Sequence, residues 1–415
     1  MFGTQVSQLA LPLVAIIVLE ATAFQVALVG TVAMLPFILF SLPAGVWVDR
    51  LPRRPILVAG DLGRALLLLS IPAAHWLDVL TLEQLYVVGF LSGICTVFFD
   101  VAYQSYLPSL VDRSQLVEGN SKLEVSRSGA QIGGPGIAGA LVELLTAPIA
   151  ILVDAISYVV SGLFVLAIRT REAVPERPKR RSPFAGMRAE LAEGLRYVLG
   201  HRLLRPIAMC TAISNFFYAL VFAILLVYVV RTLGLSPATI GVVLSVGNVG
   251  FLAGALLANR VAVRVGVGRT IVLGSMLFGP SLLLIPAAPP ALPHPFLAAS
   301  IVLAGFGAVV YNITQVSLRQ AITPHRLQGR MNSVMRFVVW GVIPLGSLLG
   351  GALGTWIGLR PAMWVGGAGA ALAFLPVVLS PVRSIGEMPE PVEPPVPQES
   401  VPEAPLTAPA TVQDD

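Results

Sequence analysis

Apolar runs about twenty residues long recur along nearly the whole chain, separated only by short loops, and nothing else in the sequence constrains the fold as tightly. Wound as a helix, a run of that length covers the ~30 Å of hydrocarbon in a bilayer. Twelve can be marked, at roughly 3–20, 25–48, 55–74, 83–106, 125–146, 148–169, 205–230, 237–258, 269–287, 295–318, 332–355 and 361–380. Only 12% of residues are charged, against about 25% in a soluble domain, and mean hydropathy is +0.83. The pattern predicts an all-α polytopic membrane protein. A β-barrel would show weaker, alternating segments of about ten residues.

The net charge of +5 reads as topology rather than as a nucleic-acid surface. Arg50, Arg53, Arg54, Arg113, Lys122, the stretch from Arg171 to Arg202, Arg260, Arg264, Arg269, Arg319, Arg326 and Arg330 fall in loops on one side. Arg231 and Arg360 alone fall on the other. Basic residues mark the cytoplasmic side, so both termini are expected in the cytoplasm. The first span starts almost at Met1, and no cleavable signal peptide is evident because that run belongs to the bundle. Either the helix begins at the very terminus or the sequence starts downstream of the true one; both readings stay open. Cys95 and Cys210 sit inside apolar runs and read as free thiols.

Four segments follow: a six-helix half (1–169), a cytoplasmic linker (170–204), a second six-helix half (205–382) and a Pro/Glu-rich tail (383–415) expected to be disordered. The linker carries the basic run 177–181 and an amphipathic stretch from Met187 to Leu199, suited equally to an anionic lipid surface and to a solvated tether. The halves look duplicated. At an offset of 212, Asn120-Ser121 falls on Asn332-Ser333, and Gly129, Gly134 and Gly139 fall on Gly341, Gly346 and Gly351. Parallel repeats of six spans imply a pseudo-two-fold axis along the membrane normal and a site between the halves.

The loop between the second and third spans reads G-V-W-V-D-R-L-P-R-R, from Gly45 to Arg54. Gly45 permits close helix approach. Asp49, as an acid, contributes little to topology, so a gating role is expected for it: a carboxylate facing the positive N-terminal end of span 11. Arg50, Arg53 and Arg54 read either as part of that gate or as topology anchors. Gly45, Asp49, Arg50, Arg53 and Arg54 resemble the signature loop of the major facilitator superfamily. With residues 42–54, Ala59 to Ala65, Asn120-Ser121, Gly133 to Gly136 and Val153 to Tyr158, the chain resembles its bacterial drug- and siderophore-efflux branch.

That resemblance implies the major facilitator fold, two six-helix bundles related by a parallel repeat, in the bacterial cytoplasmic (inner) membrane. It also implies export of small hydrophobic or amphipathic molecules by H⁺ antiport with alternating access, as in multidrug resistance. Gly134, Pro135 and Gly139 on span 5 resemble the superfamily's antiporter motif, with Ala138 where a Gly is usual. A proline removes one helical hydrogen bond and small residues clear a packing face, so gating is the favoured role and simple close packing the other. The alternatives are a metabolite symporter or uniporter working inward, and a non-transporting membrane scaffold.

Ionisable residues at membrane depth are expensive and mark function by default. Asp61 and Arg64 are one turn apart and read as a mutual pair. Asp100 and Asp154 are the first candidates for proton coupling or for holding a cationic group, with a structural hydrogen bond as the rival, and Asp61 and Arg64 are the further candidates for proton coupling. Polar and aromatic residues within spans, namely Tyr103, Gln104, Asn215, Phe217, Tyr218, Asn248, Tyr311, Asn312 and Gln315, outline a mixed polar–apolar substrate cavity. The only lysines, Lys122 and Lys179, lie in no phosphate-binding loop, and no metal cluster or nucleophile–base set stands out. The chain is therefore expected to be no enzyme, to need no cofactor and to act as a monomer. Its expected partners are a small molecule, protons and membrane lipids, with no nucleic acid.

Overall fold

In hydrocarbon every backbone N–H and C=O must be satisfied within its own segment, so apolar runs fold as helices. The computed structural model describes residues 2–48, 51–110, 116–168 and 187–389; those described residues form helices and connecting turns, without strands. The first half holds α1 (Phe2–Leu13, continued by a π-helical turn, Val14–Val18), α2 (Ala23–Val48), α3 (Arg53–Trp76), α4 (Leu82–Leu110), α5 (Leu116–Leu145) and α6 (Ala147–Ala167). A short helix, α7 (Met187–Gly200), precedes the second half: α8 (Leu204–Arg231), α9 (Pro237–Val265), α10 (Val267–Ser281) with α11 (Leu284–Ala287), α12 (Pro293–Ile322), α13 (His325–Trp356), and α14 (Leu359–Ala371) with α15 (Leu375–Val378).

These are the twelve spans. Ten meet the length and hydropathy of a membrane crossing outright. The other two are the 16-residue apolar helix Gly3–Val18 and α5, whose first half carries Glu118, Lys122, Glu124 and Arg127. Helices α5 and α13 start seven to nine residues earlier than hydropathy places them, because a helix entering water keeps its hydrogen bonds after its side chains turn polar. Spans nine and twelve are each broken into two pieces, the ninth just after Pro280.

The duplicated glycines make matching contacts. A side chain at Gly134 on α5 would run into Gln5 of α1, and one at Gly346 on α13 would run into the Phe216 carbonyl of α8. At Gly139 the obstacle is the α9 backbone at Pro237 and Gly241; at Gly351 it is Phe24 and Ala27 of α2. Gly129 and Gly341 both face open space. Each half thus packs its fifth helix on its own first helix and on the second helix of the other half.

Those crossings, α5 on α9 and α13 on α2, join the halves at one end of the bundle. There Glu143 accepts from the Ala238 amide at 2.8 Å, Ser245 accepts from the Gly136 amide at 2.8 Å, and Arg231 donates to the Ile16 carbonyl at 3.2 Å. One apolar cluster runs through both halves at that end, with Leu13, Val14 and Ile151 joined to Ile224, Tyr228 and Met363. At the other end the clusters are separate. Val48, Leu57, Ala102 and Tyr106 pack within the first half, and Val198, Leu204, Ile207, Met331 and Val334 pack α7 onto the second. Helix α7 is held there by a Glu193–Arg330 ion pair and by Tyr197 donating to the Ile322 carbonyl at 3.3 Å. Beyond α15 the chain stays docked through Gly386, whose carbonyl accepts from the Val267 amide at 3.0 Å. Residues 390–415 and the linker residues 170–186 lie outside the described residues.

Candidate functional site

A cavity of about 800 Å³ opens among α8, α9, α10, α12 and α13, within the range of pockets that take drug-sized molecules. Every residue lining it belongs to the second half. Helical period decides who lines it. On α12, Ala308, Tyr311, Asn312, Gln315 and Arg319 recur at three- and four-residue steps, as do Asn332, Met335, Arg336, Val339 and Trp340 on α13.

The cavity is graded. Toward the joined end its wall is apolar, from Phe222, Leu244, Leu282, Ile285 and Ile301, with Tyr218 stacked on Phe222 at 4.0 Å. Toward the unjoined end it turns polar. The Tyr311 hydroxyl lies 2.7 Å from the Thr211 hydroxyl and donates to the Ile207 carbonyl at 3.2 Å. Asn215 donates to the Thr211 carbonyl, and Gln315 donates to the Asn312 side chain at 3.0 Å, leaving Gln315 Oε1 buried without a partner. Asn332, Arg336 and Trp340 are exposed at the mouth.

Of the cavity residues expected from sequence, Asn215, Tyr218, Asn248, Tyr311, Asn312 and Gln315 line it. Asn248 also ties the halves together, donating to the Gln131 carbonyl at 2.6 Å. Phe217 does not line it: one residue from Tyr218 is a turn of about 100° around the helix, which sends its ring against Gly369 of α14. Nor does Tyr103, which stacks on Phe99 in the first half at 6.0 Å between centroids. The side chain of Gln104 lies outside the described residues.

Sequence reasoning missed Arg319, which it counted as a topology anchor. The side chain lines the cavity, the residue is only 7% exposed, and its Nε has no hydrogen-bond partner. A signal was legible: from Gly194 to Gly386 the chain contains no Asp or Glu, so the arginines of this half have no carboxylate within it.

The buried acids gather in the first half. Asp61 and Arg64 are ion-paired at 2.6 Å, and the guanidinium lies between the rings of Phe99 (4.3 Å) and Tyr158 (4.2 Å). Planar, weakly hydrated guanidinium suits such a stacked site. Asp154 is fully buried on α6; its Oδ1 accepts from Ser157 at 3.0 Å and its Oδ2 has no hydrogen-bond partner. One turn on, the Tyr158 hydroxyl meets Thr4 of α1 at 3.1 Å. Asp100, on α4, is exposed.

In the loop motif, Gly45 falls in the last turn of α2, and Asp49 and Arg50 lie outside the described residues. Arg53 opens α3. Arg54 donates to the Val165 and Leu166 carbonyls, closing the end of α6 as a cation at a helix C-terminus. Gly134, Pro135 and Gly139 lie on α5; Gly139 and the Pro135 carbonyl form the crossing with α9.

Helices in two alike halves, ten of them long and apolar enough to cross a membrane, joined at one end and holding a drug-sized cavity in the second half, have the architecture of a multi-pass membrane transporter. The chain belongs to the transmembrane secretion effector family of the major facilitator superfamily, whose model matches residues 2–405. It is 26% identical over 349 residues to the multidrug efflux pump Tap of Mycolicibacterium fortuitum, covering 82% of this chain and 83% of that one. The Tap pump of Mycobacterium tuberculosis is 27% identical over 352 residues, with 82% and 81% covered. Among solved structures, a bacterial homologue of the iron transporter ferroportin in an inward-facing state superposes with TM-score 0.71 at 17% identity, over 91% of this chain and 95% of that one. The nucleoside transporter NupG gives TM-score 0.72 at 12% identity, over 91% and 96%. At such identities the structures speak for the fold alone.

Proposed function

We propose that this protein is a secondary active exporter that moves small amphipathic molecules out across a bacterial cytoplasmic membrane in exchange for protons, by alternating access. The observation that carries the reading is the graded cavity of about 800 Å³ beside halves joined at one end only. The basic loops mark the unjoined end as cytoplasmic, so the described state receives molecules from inside. The efflux pumps it resembles add support for export.

Asp154 is the proposed proton carrier, since a buried carboxylate with one oxygen unpartnered has room for a proton. Asp100 is the second candidate. In proteoliposomes with an imposed pH gradient, Asp154→Asn is expected to abolish gradient-driven transport while substrate exchange without a gradient continues. Undiminished driven transport excludes that role for Asp154, and the same assay on Asp100→Asn decides the second candidate. For the proposed gate residue, Asp49→Asn is expected to slow turnover severalfold more than it weakens binding; normal turnover with weakened affinity overturns that role.

A further inference from the structure

We propose that the second-half cavity holds the negatively charged head of an amphiphile, with Arg319 as its counter-ion, so that transported molecules carry a carboxylate, sulfonate or phosphate at one end of an apolar body. The inference rests on the transporter reading above and narrows its substrate class.

Three observations carry it. Arg319 is buried to 7% exposure in the cavity wall, yet makes no ion pair and no hydrogen bond among the described residues. Burying an arginine without a counter-charge costs several kcal/mol, so an anion is the missing partner. The second observation closes the obvious alternative. Arginines at helix ends often anchor topology by reaching water or lipid phosphate, and Arg336, exposed at the mouth, can do so. Arg319 faces the cavity instead: its side chain lines it, the residue is only 7% exposed, and the water it can reach is that of the cavity itself. No carboxylate between Gly194 and Gly386 can neutralise it either. Third, the charge sits at one end of a graded space. Arg319, Gln315 and Asn312 crowd the polar end, while Tyr218, Phe222 and Ile301 wall the other. That geometry fits an apolar body lying deep with its anion toward the mouth.

The test compares two ligands of nearly equal shape and different charge, 1-naphthaleneacetate and 1-naphthaleneacetamide, by titration calorimetry on the full chain in a neutral maltoside. A charge-assisted pair adds roughly 1.5–3 kcal/mol, so the acid is expected to bind about tenfold or more tighter than the amide. Arg319→Gln should bring the two affinities within about twofold of each other, and Arg319→Lys should restore the preference by restoring the charge. A wild type that binds acid and amide alike, or binds neither, overturns the proposal. So does an Arg319→Gln protein, monodisperse and cooperatively melting, that still prefers the acid.

The anion can come from a free molecule or from a lipid. Displacement of the acid by phosphatidylglycerol, and not by phosphatidylcholine, assigns the head-group site to lipid; no displacement by either assigns it to free acids, and both results support the anion site. Binding here needs no transport. A chain that pumps neutral amphiphiles in proteoliposomes but shows no charge preference keeps the exporter reading and loses this one. A chain that shows the preference and pumps nothing does the reverse.

Discussion

Gly139→Ala is expected to cut transport about tenfold or more, whereas Gly30→Ala leaves it within about twofold. Both add one methyl group to a helix. At Gly30 the added carbon meets nothing, and alanine is the better helix former. At Gly139 it lands on the carbonyl of Pro237 and the backbone of Gly241, and a carbon on Gly241 would land in turn on the carbonyl of Pro135. Backbone cannot rotate aside as a side chain can, so α5 and α9 have to move apart. Overpacking of this kind costs about 1–3 kcal/mol, and here the cost falls on the state in which the halves are joined. The equilibrium therefore shifts toward opening at that end. A cysteine placed at Leu244, deep in the cavity, should then react faster with an impermeant maleimide added from the joined side, measured against the parent with Cys95 and Cys210 alone. Unchanged labelling together with normal transport would show that the crossing does not gate.

Arg64→Gln is expected to lower stability by roughly 3–5 kcal/mol, the cost of leaving a buried charge without its partner. The variant strands Asp61, which is fully buried, and empties the slot between Phe99 and Tyr158. The double change Asp61→Asn with Arg64→Gln removes both charges and should recover part of the loss. Arg64→Lys should fall between, since an ammonium keeps the charge and loses the planar stacking. Thermal melting of the purified protein in one detergent separates the three variants from the parent. A single Arg64→Gln that melts with the parent shows the pair to be dispensable for folding and frees it for a role in transport.

The contrast between what the sequence foretold and what it missed has a physical basis. Hydropathy reports depth, because the cost of placing a side chain in hydrocarbon is the same whichever way the helix is turned. The twelve spans and the twin glycine patterns of α5 and α13 were legible for that reason. Hydropathy does not report direction around the helix axis. Tyr218 and Phe217 look alike in sequence, yet one lines the cavity and the other packs on α14. Arg319 and Arg330 look alike as basic residues near helix ends; Arg330 pairs with Glu193, while Arg319 lines the cavity alone. The π-helical turn at Val14–Val18 and the break at Leu282 and Leu283 leave no trace in hydropathy, although Pro12 and Pro280 stand just before them.

In the proposed exporter an uncompensated arginine would also confer sensitivity to voltage. With its cavity empty, the second half carries the positive charge of Arg319 with no carboxylate of its own to offset it. Moving one elementary charge through a membrane potential is worth ~2.3 kcal/mol per 100 mV, and a half that rocked would move its charges through part of that drop. An anionic cargo would neutralise the arginine and carry the loaded half across almost blind to the field. The membrane potential would then act on the empty return stroke, and clamping it would change how quickly the pump resets rather than how firmly it holds its load.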